Sequence, residues 1–229
     1  MLGRIIYFTV HSLVHIFHFL FWNWKIDGKE NLPPRQGGIL FAVNHLSWTD
    51  VYLLAATLPL SYRLTWMAKH EVFENRFVAW FLRTNNVIPL RRGEADRAAF
   101  VAAIKALKEG AAMLMFPEGH RSDNHALIEG KEGTVRLAVR SNVPIVPMAI
   151  WGSENGFRGA ILRQPIRVRI GQPYDPAALA TGARDQWDRL TDDLMARIAA
   201  LLPEEYRGIY TEHAQRAENA RQPSTVPAT

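Results

Sequence analysis

The sequence predicts an α/β fold: a mixed, mostly parallel central sheet flanked by helices, preceded by an N-terminal membrane-interface helix. Three observations predict it. Short unbroken apolar runs, Gly38 to Val43, Ala111 to Met115 and Val143 to Ile150, read as strands buried on both faces. Helical patterns lie between them, the alternation that parallel strands need. Ahead of all of these, Arg4 to Trp24 is densely apolar and aromatic.

Composition bounds the chemistry. With 229 residues, 48% hydrophobic and 21% charged, the chain can bury one good core and is not of disordered type. A formal charge of +5 favours an anionic partner. The absence of cysteine excludes disulfides, thiolate nucleophiles and cysteine-ligated zinc.

As one helix, Arg4 to Trp24 would be about 30 Å long, enough to cross a bilayer. Tyr7, His11, His15, His18 and Trp22 recur at helical spacing and make a semi-polar stripe, which favours a helix lying in the membrane interface over a span. No small-residue cleavage site follows it, so it does not read as a removable signal. Its histidines share a face but lack an acidic partner, and a stripe facing headgroups or the globular domain is preferred to a metal site. Packing of the whole helix on the domain is the competing reading.

Trp24 to Asp27 follows as a short strand, and Gly28 to Gly38 as a loop with Pro33 and Pro34. Val51 to Leu60 is long enough for a helix, and Thr65 to Ala68 is a strand ending in Lys69 and His70. Asn75 to Arg83 is an amphipathic helix whose aromatic surface suits core packing or an acyl or membrane contact. Asn85 to Gly93 contains a strand ending in Arg91 and Arg92, and paired guanidinium forks suit a phosphate. Glu94 to Glu109 is a helix stopped by Gly110. Thr134 to Arg140 is helical, and the prolines of Val143 to Ile150 predict a bulge or an edge. Ile166 to Ile170 alternates as a half-exposed strand, Asp185 to Leu202 is an amphipathic helix, and the chain from about Ala214 is a polar tail. The predicted organisation is a membrane-associated helix over 1–24, a catalytic domain over 25–213 and a flexible tail over 214–229.

Two polar clusters break out of buried strands. Asn44 to Asp50 follows Gly38 to Val43, and Phe116 to Ser122 follows Ala111 to Met115. Strand ends that open into reactive turns are where an α/β sheet keeps its chemistry, so the two clusters predict one shared site. Ser47 and Asp50 have capping-box spacing, which starts a helix there. His45 is the candidate base, with Asp50 fixing its tautomer and orientation from the far ring nitrogen.

Four stretches together resemble the glycerolipid acyltransferases, specifically the 1-acyl-glycerol-3-phosphate (lysophosphatidic acid) acyltransferases. The N-H-x-S-x-x-D block is matched by Asn44, His45, Ser47 and Asp50, and the F-P-E-G-T-R-S block by Phe116 to Ser122. The G-x-I-P-V-x-R block reads Asn86 to Arg92, the V-P-[IV]-[VI]-P block is Val143 to Pro147, and Lys131 with Gly133 matches a K-x-G element. Asn86 stands for the usual glycine and His120 for the usual threonine, both near the expected phosphate site. The resemblance runs from about Trp24 to Gln172.

It implies transfer of an acyl group from a thioester to a lysophospholipid hydroxyl, without cofactor or metal. Coenzyme A or acyl carrier protein serves as co-substrate. His45 and Asp50 are the expected catalytic residues. Glu118 is expected to bind the acceptor hydroxyl or an adjacent positive group. Arg92 and Arg121 would hold the phosphate, with Lys69 or Lys131 as helpers and Gly119 in the same turn. Such an enzyme is expected on the cell membrane, peripheral, facing the cytoplasm, with anionic lipids and not nucleic acid as partners. Other lyso-lipid acceptors, such as a lyso-ornithine lipid, require the same pair. A metal-dependent hydrolase using His45 and Asp50 as ligands, and a catalytically silent lipid-binding protein, are readings of other classes.

Overall fold

The computed structural model describes residues 6, 8–9, 11–13, 15–16, 23–91, 96–183 and 185–215, apart from the side chains of Phe157 and Ala160. Seven strands form one sheet in the order β1-β7-β6-β2-β5-β3-β4, with β1 Asn23–Asp27, β2 Ile39–Val43, β3 Leu64–Lys69, β4 Val87–Leu90, β5 Ala112–Met115, β6 Ile145–Trp151 and β7 Pro165–Ile170. Every neighbouring pair is parallel except β6 with β7. The mixed, mostly parallel α/β sheet expected from the sequence is the observed one.

Parallel strands need crossovers, and these supply α1 Asp50–Thr57, α2 Arg76–Thr84, α3 Arg97–Lys108 and α4 Gly133–Ser141; α5 Gly156–Ile161 joins the antiparallel β6 and β7, and α6 Gln186–Ala199 follows the last strand. The period-2 pleat of β2 divides the core in two. Leu40 and Ala42 join residues of α3, α4 and α6, while Ile39, Phe41 and Val43 pack with Leu53, Leu54 and Leu58 of the α1 segment. All five β2 residues are buried, as an unbroken apolar run requires of a strand covered on both faces. A Cβ on Gly38, just before β2, would fall 2.1 Å from the Leu107 carbonyl oxygen, so only glycine lets the strand start this close to α3.

Two expectations are corrected. The prolines near Val143 predicted a bulge or an edge, yet β6 is interior, between β7 and β2. Pro147 pairs with Ala42, one residue before the antiparallel pairing with β7 begins at Met148 and Ile170, and its carbonyl accepts from the Gly171 N–H at 2.8 Å. The helix after His45 was expected to start at Ser47, but its first residue is Asp50 and its N-cap is Thr49. The Ser47 hydroxyl caps no helix N–H and instead accepts from the Thr49 amide and hydroxyl.

The described residues among 6–16 are helical. His11 is buried, whereas Phe8, Leu13 and Ile16 are exposed. The semi-polar stripe is thus turned inward at His11, while the apolar Phe8, Leu13 and Ile16 face out. The remainder of the expected helix, residues 216–229 of the expected tail, and Arg92 lie outside the described residues. Ala214, at the start of that tail, is buried in the core.

Candidate active site

The ends of β2 and β5 are neighbours because the strands pair in parallel, Ile39 with Ala112 through Ala42 with Met115. Both clusters therefore leave the sheet on the same edge and side by side. Asn44 anchors the first: its amide donates to the Ile150 carbonyl and accepts from the Ile150 N–H, each at 2.8 Å. A side chain thereby replaces the ladder partner of β6 and frees the next backbone to turn. The two loops are then tied together, since the Ser122 N–H donates to the His45 carbonyl at 3.2 Å.

Within this frame His45 Nδ1 lies 2.8 Å from Asp50 Oδ2. The same oxygen accepts the N–H groups of Leu46 at 2.7 Å and Ser47 at 2.8 Å. The second of these is half of the capping box anticipated from the spacing. Asp50 is fully buried in the first turn of α1, where the helix dipole favours a negative charge. An acceptor-only carboxylate at Nδ1 places the ring proton there and leaves a lone pair on Nε2. Phe116 stacks on the imidazole at 3.9 Å with an interplanar angle of 15°, so the ring is held in its plane as well as at its edge.

Glu118 is placed differently from expectation. It is 1% exposed, and its oxygens accept from the backbone N–H groups of His45 at 2.8 Å and Ile128 at 3.2 Å. Both oxygens face main chain, and Glu118 lines neither cavity beside His45. Burial pushes its carboxyl up to about 7, opposed by those two hydrogen bonds and assisted by the Asp50 charge. A substrate-facing Glu118 is therefore corrected to one that holds the His45 backbone.

The histidine stands between two spaces. One is an apolar cavity of about 620 Å³, walled by Trp48, Tyr52, Trp66, Leu114 and Phe116, with Lys69, Gly119 and Arg121 also in its lining. The other is a polar cleft of about 700 Å³ lined by Lys69, His120, Arg121, Ser122, Asp123 and His125. Lys69 and Arg121 also border both. Lys131 joins them through Gly119: a Cβ there would meet Lys131 Nζ at 3.1 Å, so the lysine lies across the turn. Gly119 has φ +76°, which its missing Cβ makes inexpensive. Among the described residues Lys69, Arg121 and Lys131 form no ion pair within the protein.

Of the sequence-predicted residues, His45, Asp50, Gly119, Arg121, Lys69 and Lys131 converge here. Asn86, the departure from glycine, adopts φ 59°, a left-handed conformation that asparagine tolerates better than most residues. His120 is exposed at the cleft, its Nδ1 3.0 Å from the Arg121 carbonyl. The sequence places His11 in a semi-polar stripe and not at the site; it lines the apolar cavity, and its imidazole is pushed down to about 4 by burial and by the nearby His15. Among the described residues no group of three His, Cys, Asp or Glu side chains could hold a metal ion.

A family model described as Acyltransferase matches residues 23–151, more than half of the chain and the span containing both loops. The chain belongs to the acyltransferase family. This acyltransferase is 31% identical over 178 residues to the 1-acyl-sn-glycerol-3-phosphate acyltransferase of Bacillus subtilis, covering 77% of this chain and 87% of that one. A chloroplastic enzyme of the same name from Brassica napus is 30% identical over 161 residues, covering 67% of this chain and 45% of its own length. In Streptococcus pneumoniae the same name belongs to a chain 29% identical over 160 residues, with 66% and 58% covered. This acyltransferase thus spans most of the first relative and about half of the other two. The crystal structure of the 1-acyl-sn-glycerophosphate (LPA) acyltransferase PlsC from Thermotoga maritima superposes with a TM-score of 0.65 at 21% identity, covering 95% of this chain and 81% of that one. At that identity the likeness establishes the shared fold. The family membership is that of an enzyme, so neither the hydrolase nor the silent lipid-binding reading is retained.

Proposed function

We propose that this acyltransferase moves a fatty acyl group from acyl-coenzyme A or acyl carrier protein to the sn-2 hydroxyl of 1-acyl-glycerol-3-phosphate, giving phosphatidic acid. The observation that carries the reading is His45, braced by Asp50 at 2.8 Å and shared by an apolar cavity and a cationic cleft. Acyl chains need the first environment and a phosphate the second, with the reacting oxygen where they meet. The names of the relatives support the same acceptor.

A hydroxyl is too weak an acid to add to a thioester unaided, so the step needs a base. Nε2 of His45 removes the hydroxyl proton as the oxygen bonds to the thioester carbon and the carbonyl electron pair moves to oxygen. Asp50 stabilises the imidazolium that results. Collapse restores the carbonyl and breaks the C–S bond, and the departing thiolate takes the proton back from Nε2. Atoms and charges balance without a serine or cysteine nucleophile, so transfer is direct and no acyl-enzyme forms. Arg121, Lys69 and Lys131 hold the acceptor phosphate, and backbone N–H groups of the turns are the candidate oxyanion donors. Glu118 acts through His45 and touches no substrate.

The acyltransferase works as a peripheral protein of the cell membrane, facing the cytoplasm where both donors occur. The outward Phe8, Leu13 and Ile16 and the charge of +5 support attachment to anionic lipid. Among the described residues no helix is long and apolar enough to cross a membrane. The test is thiol release across lysophosphatidic acid, lysophosphatidylglycerol and a lyso-ornithine lipid, each with acyl-coenzyme A and acyl carrier protein. Lysophosphatidic acid is expected to give the highest kcat/KM; a faster reaction with another lyso-lipid reassigns the acceptor.

A further inference from the structure

We propose that the outer face of α2, with Phe77 and Trp80 set between Arg76 and Arg83, is a docking surface that seats the apolar cavity on an anionic bilayer. The proposal rests on the function above only for the direction from which an acyl chain arrives.

The nine-residue helix is poorly covered. Ala79 is its one buried residue, while Phe77 is 72% exposed and Trp80 45%. Their rings meet at 5.8 Å, so the two form one patch and not two scattered side chains. The helix presenting them is well capped: Asn75 accepts from the N–H groups of Phe77 at 2.9 Å and Val78 at 3.2 Å. Arg76 and Arg83 lie beside Trp80 and line a shallow groove with it. An indole flanked by guanidinium groups is the mixture found at headgroup depth, where the ring meets the acyl boundary and the cations meet phosphates.

The opposite flank of α2 belongs to the site. Phe81 and Leu82 line the cavity that holds His45, together with Trp48, Tyr52 and Val72. Those last three are themselves about half exposed, so the cavity opens beside the patch. His11 lines the same cavity, and the helical residues around it show Phe8, Leu13 and Ile16 to the outside. Two helical segments with outward apolar faces therefore flank one apolar mouth. Insoluble acyl chains can pass from a bilayer into such a mouth without crossing water, which fits a lipid surface as the occupant. Glu71 and Glu74 precede the helix, and with Lys69, Arg76 and Arg83 the segment keeps an excess of cations. An acidic carrier protein would also meet those cations, but the centre of the patch is aromatic, which suits a bilayer better.

Sedimentation of the full chain with phosphatidylcholine vesicles, with and without phosphatidylglycerol, tests this. In the Phe77→Ser/Trp80→Ser variant, partitioning onto mixed vesicles is expected to fall by about tenfold or more. Turnover of short-chain, water-soluble substrates should stay at the wild-type level, showing that the fold and the site are intact. Arg76→Gln/Arg83→Gln should lose binding chiefly where phosphatidylglycerol is present. Unchanged vesicle binding in the aromatic variant overturns the proposal. So does a wild-type dimer that this variant dissociates, or a loss of carrier-protein binding in place of vesicle binding. A wild-type protein that binds vesicles but turns over no short-chain substrate would count against the assigned reaction and leave the docking surface standing.

Discussion

The backbone N–H of His45 donates to Glu118 Oε1 at 2.8 Å, across 73 residues of chain, while Asp50 holds the ring of the same histidine at 2.8 Å. One carboxylate places the main chain and the other places the imidazole. Glu118 also accepts from Ile128, so it joins the loop after β2 to the segment that leads toward α4. In the proposed mechanism its influence on turnover passes through the position of His45.

Replacing Glu118 therefore affects kcat more than the acceptor KM. Glu118→Ala leaves two backbone N–H groups bare, at about 1–3 kcal/mol each, and should lower thermal stability clearly. Glu118→Gln keeps one acceptor oxygen but turns an amide NH₂ toward the other N–H, so it should retain part of both stability and kcat. Steady-state kinetics over acceptor concentration would contradict this if KM rose many-fold at unchanged kcat, the mark of a lost substrate contact.

The same residue sets a pH dependence of stability. The Glu118 carboxyl ionises near 4.5 when unfolded and at about 7 when folded. Between those values the folded state binds more protons than the unfolded state, so stability falls as pH rises from about 4.5 through about 7. Thermal melts across that window should show wild type losing Tm relative to Glu118→Gln, whose side chain cannot ionise. Parallel curves would contradict the assignment.

Asp50→Asn should lower kcat by about 10²–10⁴-fold with a folded protein. An amide oxygen can still accept from Leu46, Ser47 and His45, but it carries no charge to stabilise the imidazolium. Circular dichroism beside the turnover assay separates this from unfolding.

Gly119→Ala should weaken acceptor binding. Its φ of +76° costs a side-chain residue about 1 kcal/mol, and the new methyl group would press on Lys131, 3.0–3.2 Å away. Displacement of that lysine should raise the KM for a phosphate-bearing acceptor, while Ile161→Ala on the exposed surface of α5 should leave KM unchanged.

Much of this was legible in the sequence because buried parallel strands announce themselves. The apolar runs before His45 and before Phe116 became β2 and β5, and their side-by-side pairing made one site of two clusters. Side-chain direction was not legible. Glu118 sits in a charged turn and the family resemblance implies a substrate ligand, yet the N–H groups of His45 and Ile128 draw it inward against the cost of desolvation. Pro147 argued for an edge, but an interior position is open to a proline that stands where the pairing with β7 has not yet begun. Asn86, which stands where the family motif has glycine, holds a left-handed φ of 59° that its place in the motif did not by itself announce.

The measurement closest to the central claim is release of coenzyme A and formation of phosphatidic acid from acyl-coenzyme A and 1-acyl-glycerol-3-phosphate, by wild type and by His45→Ala. Wild type is expected to form both products in equal amounts, and the variant, folded and still bound to vesicles, to lose at least about 10²-fold in kcat. A His45→Ala protein that keeps its rate within a few-fold would show that another group activates the hydroxyl.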